Sequence, residues 1–239
     1  MPLKGAGFTF ATHHPAESGQ TKADFMFTRH HVSDLPGAAR RHGHRSAGAA
    51  LLTLVLLWPP DVFAHPHVFI DSRVTFLLSG NEITGFRESW LFDDVFSDQL
   101  MQDYDADGDG KIGPAESDKL GKETLPNLAQ FHYFTYIWVD GKPLAKIPPT
   151  DFHASANDKL VTFDFLVTLP QPVDPAALAL EVNDREYYVE VLLAKDHPIA
   201  FHDASGKELA NCQPSVTKDE KNAYYGGFVF PQKITVACK

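Results

Sequence analysis

Asp105 to Glu116 reads DADGDGKIGPAE, and no other stretch restricts the folding of this chain so tightly. Its spacing is that of the twelve-residue EF-hand loop, D-x-[DN]-x-[DN]-G-x5-E. Asp105, Asp107 and Asp109 put carboxylates at loop positions 1, 3 and 5, and Gly110 allows the sharp turn at position 6. Lys111 offers its backbone carbonyl at position 7, and Glu116 at position 12 can bind through both oxygens. Gly113 at position 9 leaves that ligand to a water. Four carboxylates on a tight turn suit a hard cation with six to eight oxygen ligands, Ca2+ rather than zinc. The loop calls for a helix on each side. Asp93 or Asp94 is expected to cap the first, running through Val95, Phe96, Leu100 and Tyr104, and Pro114 to start the second. A metal-free acidic turn is the competing reading. A single loop, with the ~10⁻⁴–10⁻³ M affinity of extracytoplasmic modules, reads as a structural staple rather than a sensor.

Upstream, Ala47 to Pro60 reads AGAALLTLVLLWPP. About a dozen apolar residues are short for a membrane span and right for a signal-peptide core. Arg40, Arg41 and Arg45 precede it, and Val62-Phe63-Ala64 forms a cleavage site. Residues 1–64 are therefore read as leader and signal peptide, cleaved after Ala64, with Met26 as an alternative start. An uncleaved membrane anchor is the other reading. Residues 65–239 remain as a single periplasmic domain of 175 residues with formal charge −12. No basic stripe exists to meet phosphates, so nucleic acid is excluded as a partner. An acidic exported domain fits a cation or a positively charged surface. An apolar fraction of 44% is enough for a packed core and excludes a disordered chain. The only two cysteines, Cys212 and Cys238, are expected to form one disulfide in an oxidising compartment. Closing a loop of this size, about 27 residues, is worth ~3–4 kcal/mol by loop entropy. Two free thiols are the alternative.

The rest of the mature chain is β-patterned. His67–Leu78, a turn at Ser79–Glu82, and Ile83–Phe92 read as a hairpin. A turn centred on Gly80-Asn81 sets Arg73 opposite Glu88, Phe69 opposite Phe92 and His67 opposite Asp94. A second helical stretch is expected from Pro114 to about Phe134, interrupted near Pro126. Further strands are expected at Tyr136–Val139, Phe152–Ala156, Leu160–Thr168, Leu178–Val182, Tyr187–Leu193 and Ile234–Cys238, with a loop at Pro170, Pro172 and Pro175. The fold class is α+β: a β-rich, sandwich-like domain carrying one helical EF-hand-type insertion at 94–134.

A new N-terminus His65-Pro66-His67 joins an imidazole to a free amine, a chelate favoured by copper, nickel or zinc. With His67 opposite Asp94, a set of His65, His67 and Asp94 suits Zn2+, Ni2+ or Co2+. Asp94 as a helix cap and a frayed chain start stand against it. His132, within FHYF, reads as a core or boundary residue. Tyr187-Tyr188 and Tyr224-Tyr225 read as strand and turn aromatics. No G-x-S-x-G, C-x-x-C, H-E-x-x-H or phosphate-binding glycine loop occurs, so an enzyme is not expected.

HPHVFID, WLFDDVFS, DYDADGDGKIGPAE, WVDGKP and YYVEVLLAKD, in this order, resemble a periplasmic domain-of-unknown-function family of bacteria. The resemblance spans Ala64 to Lys239. One departure is Asn183-Asp184-Arg185-Glu186, where an Asp-Pro-Thr-like run is expected. The family is often labelled an ABC-type transport periplasmic component, and its members tend to be encoded beside, or fused to, nickel/cobalt-type membrane transporters. Some are implicated in zinc uptake. The resemblance thus implies an accessory protein for zinc, nickel or cobalt transport, partnered by a nickel/cobalt-exporter-like permease. A calcium-stabilised interaction module without a transition-metal site is the rival reading.

Overall fold

A computed structural model of the chain describes residues 66–239. The leader and signal peptide read into residues 1–64, and the His65 ligand, lie outside the described residues. β1 (Val68–Ser79) and β2 (Glu82–Phe92) form the expected antiparallel hairpin. Its register begins as expected at the turn, with Ser79 facing Glu82 and Leu78 facing Ile83. An irregularity beside Leu77 then shifts it by one residue, so that Arg73 faces Ser89 and Ile70 faces Phe92. The expected Arg73–Glu88, Phe69–Phe92 and His67–Asp94 pairings are thereby lost. Side-chain alternation explains the shift. Ile70, Val74 and Phe76 must share a face with Phe86, Trp90 and Phe92, and only the shifted register puts both apolar sets inside. The Thr84 hydroxyl donates to Leu77 O at 3.2 Å across this bulge.

After the hairpin come α1 (Asp94–Tyr104) and α2 (Pro114–Leu128), then strands to the end of the chain. These are β3 (Thr135–Val139), β4 (Lys142–Pro143), β5 (Thr150–Asn157), β6 (Leu160–Val173), β7 (Leu178–Val182), β8 (Val189–Leu193), β9 (Ile199–Asp203), β10 (Cys212–Lys218) and β11 (Gln232–Cys238). One sheet has the order β5-β6-β2-β1-β8, with β9 also paired to β1, and the second has the order β10-β11-β7-β3-β4. β8 and β9 run parallel to β1, and every other pairing is antiparallel.

The fold is α+β and β-rich. The sheets share one core, in which Trp90 of β2 stacks on Phe134, the residue just before β3, at 5.7 Å and meets Phe165 of β6 edge-on at 4.8 Å. Both helices lie on the first sheet. Phe96, Leu100, Leu120 and Leu128 face inward, and the helix serines tie down strand ends. Ser97 Oγ accepts from Val161 N at 3.0 Å, and Ser117 Oγ accepts from Ala154 N at 2.8 Å. Gly121 is needed here, because a Cβ would lie 2.6 Å from the Phe152 ring.

Some boundaries differ from expectation. α2 passes through Pro126, which falls in its last turn, and ends at Leu128. β6 continues through Pro170 and Pro172, where a loop was expected. Proline fits a strand wherever its nitrogen faces away from the ladder. β9 and β10 were not expected, since the first follows His197-Pro198 and the second, CQPSVTK, carries Pro214 in its interior and is mostly polar.

Candidate metal centre

Asp93 caps α1 by accepting from Phe96 N at 2.9 Å, and its second oxygen takes Phe69 N at 2.7 Å. One carboxylate thus fixes both the helix start and the head of β1. The helix delivers the chain to Asp105, where the acidic turn begins. Asp105 accepts from the backbone N–H groups of Gly108, Asp109 and Gly110. Asp107 accepts from Asp109 N, and Asp109 accepts from Lys111 N. Gly108 and Gly110, at φ +73° and +79°, adopt the left-handed backbone that lets the turn curl around its own carboxylates. Carboxylate oxygens of Asp105, Asp107 and Asp109 consequently lie within 4.8 Å of one another, the only such three-ligand group among the described residues.

Glu116 is not part of that group. Its oxygens accept from Ala106 N and Gly113 N, both at 2.7 Å, which closes the loop and caps α2. The Gly113 and Ala106 N–H groups hold this carboxyl below its ordinary range. Each carboxylate oxygen has a further lone pair, so capping leaves room for a cation. Ile112 is buried in the core and anchors the turn, while Lys111 is exposed. The donor set, oxygen-only and anionic, fits a hard divalent ion.

The histidine end is arranged differently from the expected ligand set. His67 is exposed, its ring 4.9 Å from that of Tyr188, and its backbone N–H donates to Tyr188 O at 2.9 Å. Asp94 lies in the first turn of α1, its Oδ1 accepting from Val95 N at 3.0 Å. The register that brought His67 to Asp94 is not the one formed. Cys212 and Cys238 face each other across β10 and β11 and form the expected disulfide. Among the described residues no helix is long and apolar enough to cross a membrane.

Residues 50–238 match the family described as "Protein of unknown function (DUF1007)". The chain belongs to this family. An uncharacterized protein of Haemophilus influenzae is 27% identical over 199 residues, covering 74% of this chain and 93% of its own length. The "Uncharacterized 15.5 kDa protein in trpE 3'region" of Spirochaeta aurantia is 31% identical over 136 residues, covering 55% of this chain and 93% of its own.

This DUF1007 chain also buries acids that the sequence reading did not single out. Glu88 is fully buried between the sheets, accepting from Trp90 Nε1 at 2.9 Å and contacting Thr135 Oγ1 at 2.8 Å. Thr135 Oγ1 also lies 2.9 Å from Tyr133 O. One hydroxyl proton cannot serve both oxygens. Protonated Glu88 resolves this by donating to Thr135, which then donates to Tyr133. Burial pushes the Glu88 carboxyl up to about 7, in keeping with that arrangement. On the second sheet, Glu181 is fully buried too. The signal for Glu88 was its phase, with Phe86, Trp90 and Phe92 on one face of β2. Glu181, flanked by Leu180 and Val182, carried none.

His132 is exposed rather than in the core, stacked on Tyr136 at 5.3 Å. His132, Tyr133 and Phe134 all take left-handed backbone, φ 54–57°. Arg185 lies 4.1 Å from the Tyr136 ring centre, and Asp184 accepts from the N–H groups of Glu186, Tyr188 and Val189. The Asn183–Glu186 run, where the sequence departs from the expected pattern, is thus a carboxylate-centred turn.

Proposed function

We propose that the chain works as an exported, periplasmic, calcium-stapled interaction module. The convergence of Asp105, Asp107 and Asp109 within 4.8 Å carries this reading. Ca2+ would be held by these three carboxylates, the Lys111 carbonyl and Glu116, in the manner of an EF-hand loop. The ion would supply charge neutralisation and cross-linking. It would join the end of α1 to the start of α2, and Ser97 and Ser117 carry that order to β6 and β5. The Cys212–Cys238 disulfide supports an oxidising, extracytoplasmic setting. The test is a calcium titration of the purified, processed protein, followed by calorimetry and thermal unfolding. Binding of one ion with a rise in Tm, both lost in Asp105→Asn/Asp109→Asn, is expected. No calcium effect up to about 10 mM, beyond the weakest affinities of extracytoplasmic sites, would overturn the reading.

A second reading rests on His67, exposed at the head of β1 directly after Pro66 and His65. Here the same module is an accessory to a nickel/cobalt-exporter-like permease and exchanges Zn2+, Ni2+ or Co2+ at the histidine end. Labile, incompletely surrounded ligands suit metal exchange. Stoichiometric binding in excess calcium that disappears in His65→Ala/His67→Ala supports it. Equal binding by both proteins sinks it.

A further inference from the structure

β10 and β11 are joined by a long loop, Asp219–Pro231, which folds back over the outer face of the second sheet. Asp219 N donates to Pro231 O at its base, and Tyr224 and Val229 pair near its tip. Beneath it lies Glu181, whose neighbours in register are Tyr136 of β3 and Lys233 of β11. Leu180 and Val182 on either side of Glu181 enter the core, so Glu181 points the other way, into the loop. Asn222 Nδ2 bridges the two carboxyls, donating to Glu181 Oε1 and to Asp219 Oδ2, each at 3.2 Å. Glu181 Oε2 is fully buried and accepts no hydrogen bond among the described residues. The Asp219 carboxyl stands beside it and is ion-paired to Lys233.

We propose that the Asp219–Pro231 loop is a proton-held strap: a proton shared by the Glu181 and Asp219 carboxyls keeps it closed over the sheet, and loss of that proton releases it. With one proton, the three charged groups Glu181, Asp219 and Lys233 sum to zero, and Glu181 Oε2 gains a partner by donating to Asp219. Without it, a buried carboxylate faces a second carboxylate with one ammonium between them.

The remaining groups around Glu181 leave it as the site of the proton. Lys233 holds Asp219 down to about 2, and burial pushes Glu181 up to about 7. From β3, Tyr136 is raised by burial, and from the strap Tyr224 is raised likewise, so both phenols stay neutral. Asp184, on the turn after β7, is raised mainly by burial and is occupied by three backbone N–H groups. Arg185 is engaged over Tyr136, and Glu190 faces the Tyr187 hydroxyl. Because Glu181 is raised when the strap is closed, closure binds a proton. The strap is tightest near pH 4.5, loosens as pH rises to about 7, and changes little above that.

Amide hydrogen exchange of the processed protein at pH 5 and pH 8, corrected for intrinsic exchange, tests this. The Asp219, Tyr224 and Val229 amides, whose hydrogen bonds lie within the strap, should lose protection by about tenfold or more as it opens, while core amides of β2 and β6 hold theirs. Glu181→Gln keeps a donor for Asp219 and an acceptor for Asn222, so its strap should stay protected at both values. Strap protection independent of pH in the native chain, or an equal loss in Glu181→Gln, overturns the proposal. Should Glu181→Gln fail to fold, carboxyl-carbon NMR in a Glu88→Gln background decides instead. A glutamate titrating between pH 5 and 8 in step with strap opening supports the strap, and none titrating in that range overturns it.

Discussion

The acidic turn at Asp105–Glu116 and the buried acids Glu88 and Glu181 use the same functional group in opposite ways. Partners of the turn carboxylates are backbone N–H groups at most ten residues away, and the side chains face water. Glu88 instead reaches Thr135, 47 residues on, and Glu181 reaches Asn222, 41 residues on. N–H groups pull Glu116 below its ordinary range, whereas burial pushes Glu88 and Glu181 up to about 7. Negative charge is therefore stabilised in the turn, ready for a cation. In the sheets it is suppressed, and a neutral acid serves as a hydrogen-bonding joint between distant strands.

The largest effect expected from this difference is at Glu88. A carboxyl raised from 4.5 to about 7 on folding binds its proton more tightly in the native state. Stability is then full below about pH 4.5 and falls by up to about 3 kcal/mol as pH rises through 7. Glu88→Gln supplies the same donor and acceptor with no proton to lose. Urea unfolding should show the variant equal to the native chain near pH 4.5 and more stable by up to about 3 kcal/mol at pH 8. A native chain with equal stability at both pH values would erase the distinction between the two kinds of acid.

Calcium should act on the other arm of the comparison. At a hundredfold excess over Kd, a ligand that binds only the folded chain stabilises it by about 2.7 kcal/mol. Added Ca2+ should raise Tm in the native protein and in Glu88→Gln alike, and should leave Asp109→Ala unmoved. A calcium response that depended on Glu88 would mean that the turn and the sheet joint are coupled.

At Asp93 the two styles meet, because its carboxylate takes one N–H from three residues away and another from Phe69, 24 residues away. Asp93→Ala should cost about 1–2 kcal/mol, the upper part of the capping range, since both N–H groups lose their partner. A loss of only a few tenths by urea unfolding would show that water replaces both bonds.

How much of this was legible follows from the same distinction. The turn, the starts of its flanking helices and the hairpin turn depend on residues close in sequence and stand where the spacing put them; of the two cap candidates Asp93 takes the role, and the second helix ends at Leu128, short of the expected Phe134. The disulfide was readable because two cysteines allow one pairing. The register of β1 with β2 was not, because the bulge beside Leu77 answers to the apolar set of the whole sheet rather than to the turn. That single-residue shift took Arg73 away from Glu88 and set Val74 opposite the buried acid. It also separated His67 from Asp94, on which the expected transition-metal set depended. Glu181 was hidden for a related reason: the loop that buries it comes from a strand pair more than thirty residues later in the chain.

The smallest effect is expected one residue from the largest. Arg87 precedes Glu88 on β2 and so points to the opposite, solvent face, where its guanidinium meets Asp151 of β5. Both side chains are substantially exposed, 45% and 64%. An ion pair held in water gains little Coulomb energy and costs side-chain entropy, so Arg87→Ala should change stability by about 0.2–1 kcal/mol and less at high salt. The pair also spans β2 and β5, which flank β6, and Leu166 of β6 stands in register with Arg87, where the long aliphatic stem of the arginine is placed to cover it. Arg87→Met separates these contributions by retaining the stem and removing the charge. If Met recovers the native stability measured for Arg, the pair contributes through covered apolar surface. A loss well above 1 kcal/mol in both variants, erased by salt, would place an exposed charge on the same energetic footing as the buried acid beside it, and the contrast between the faces of β2 would fail.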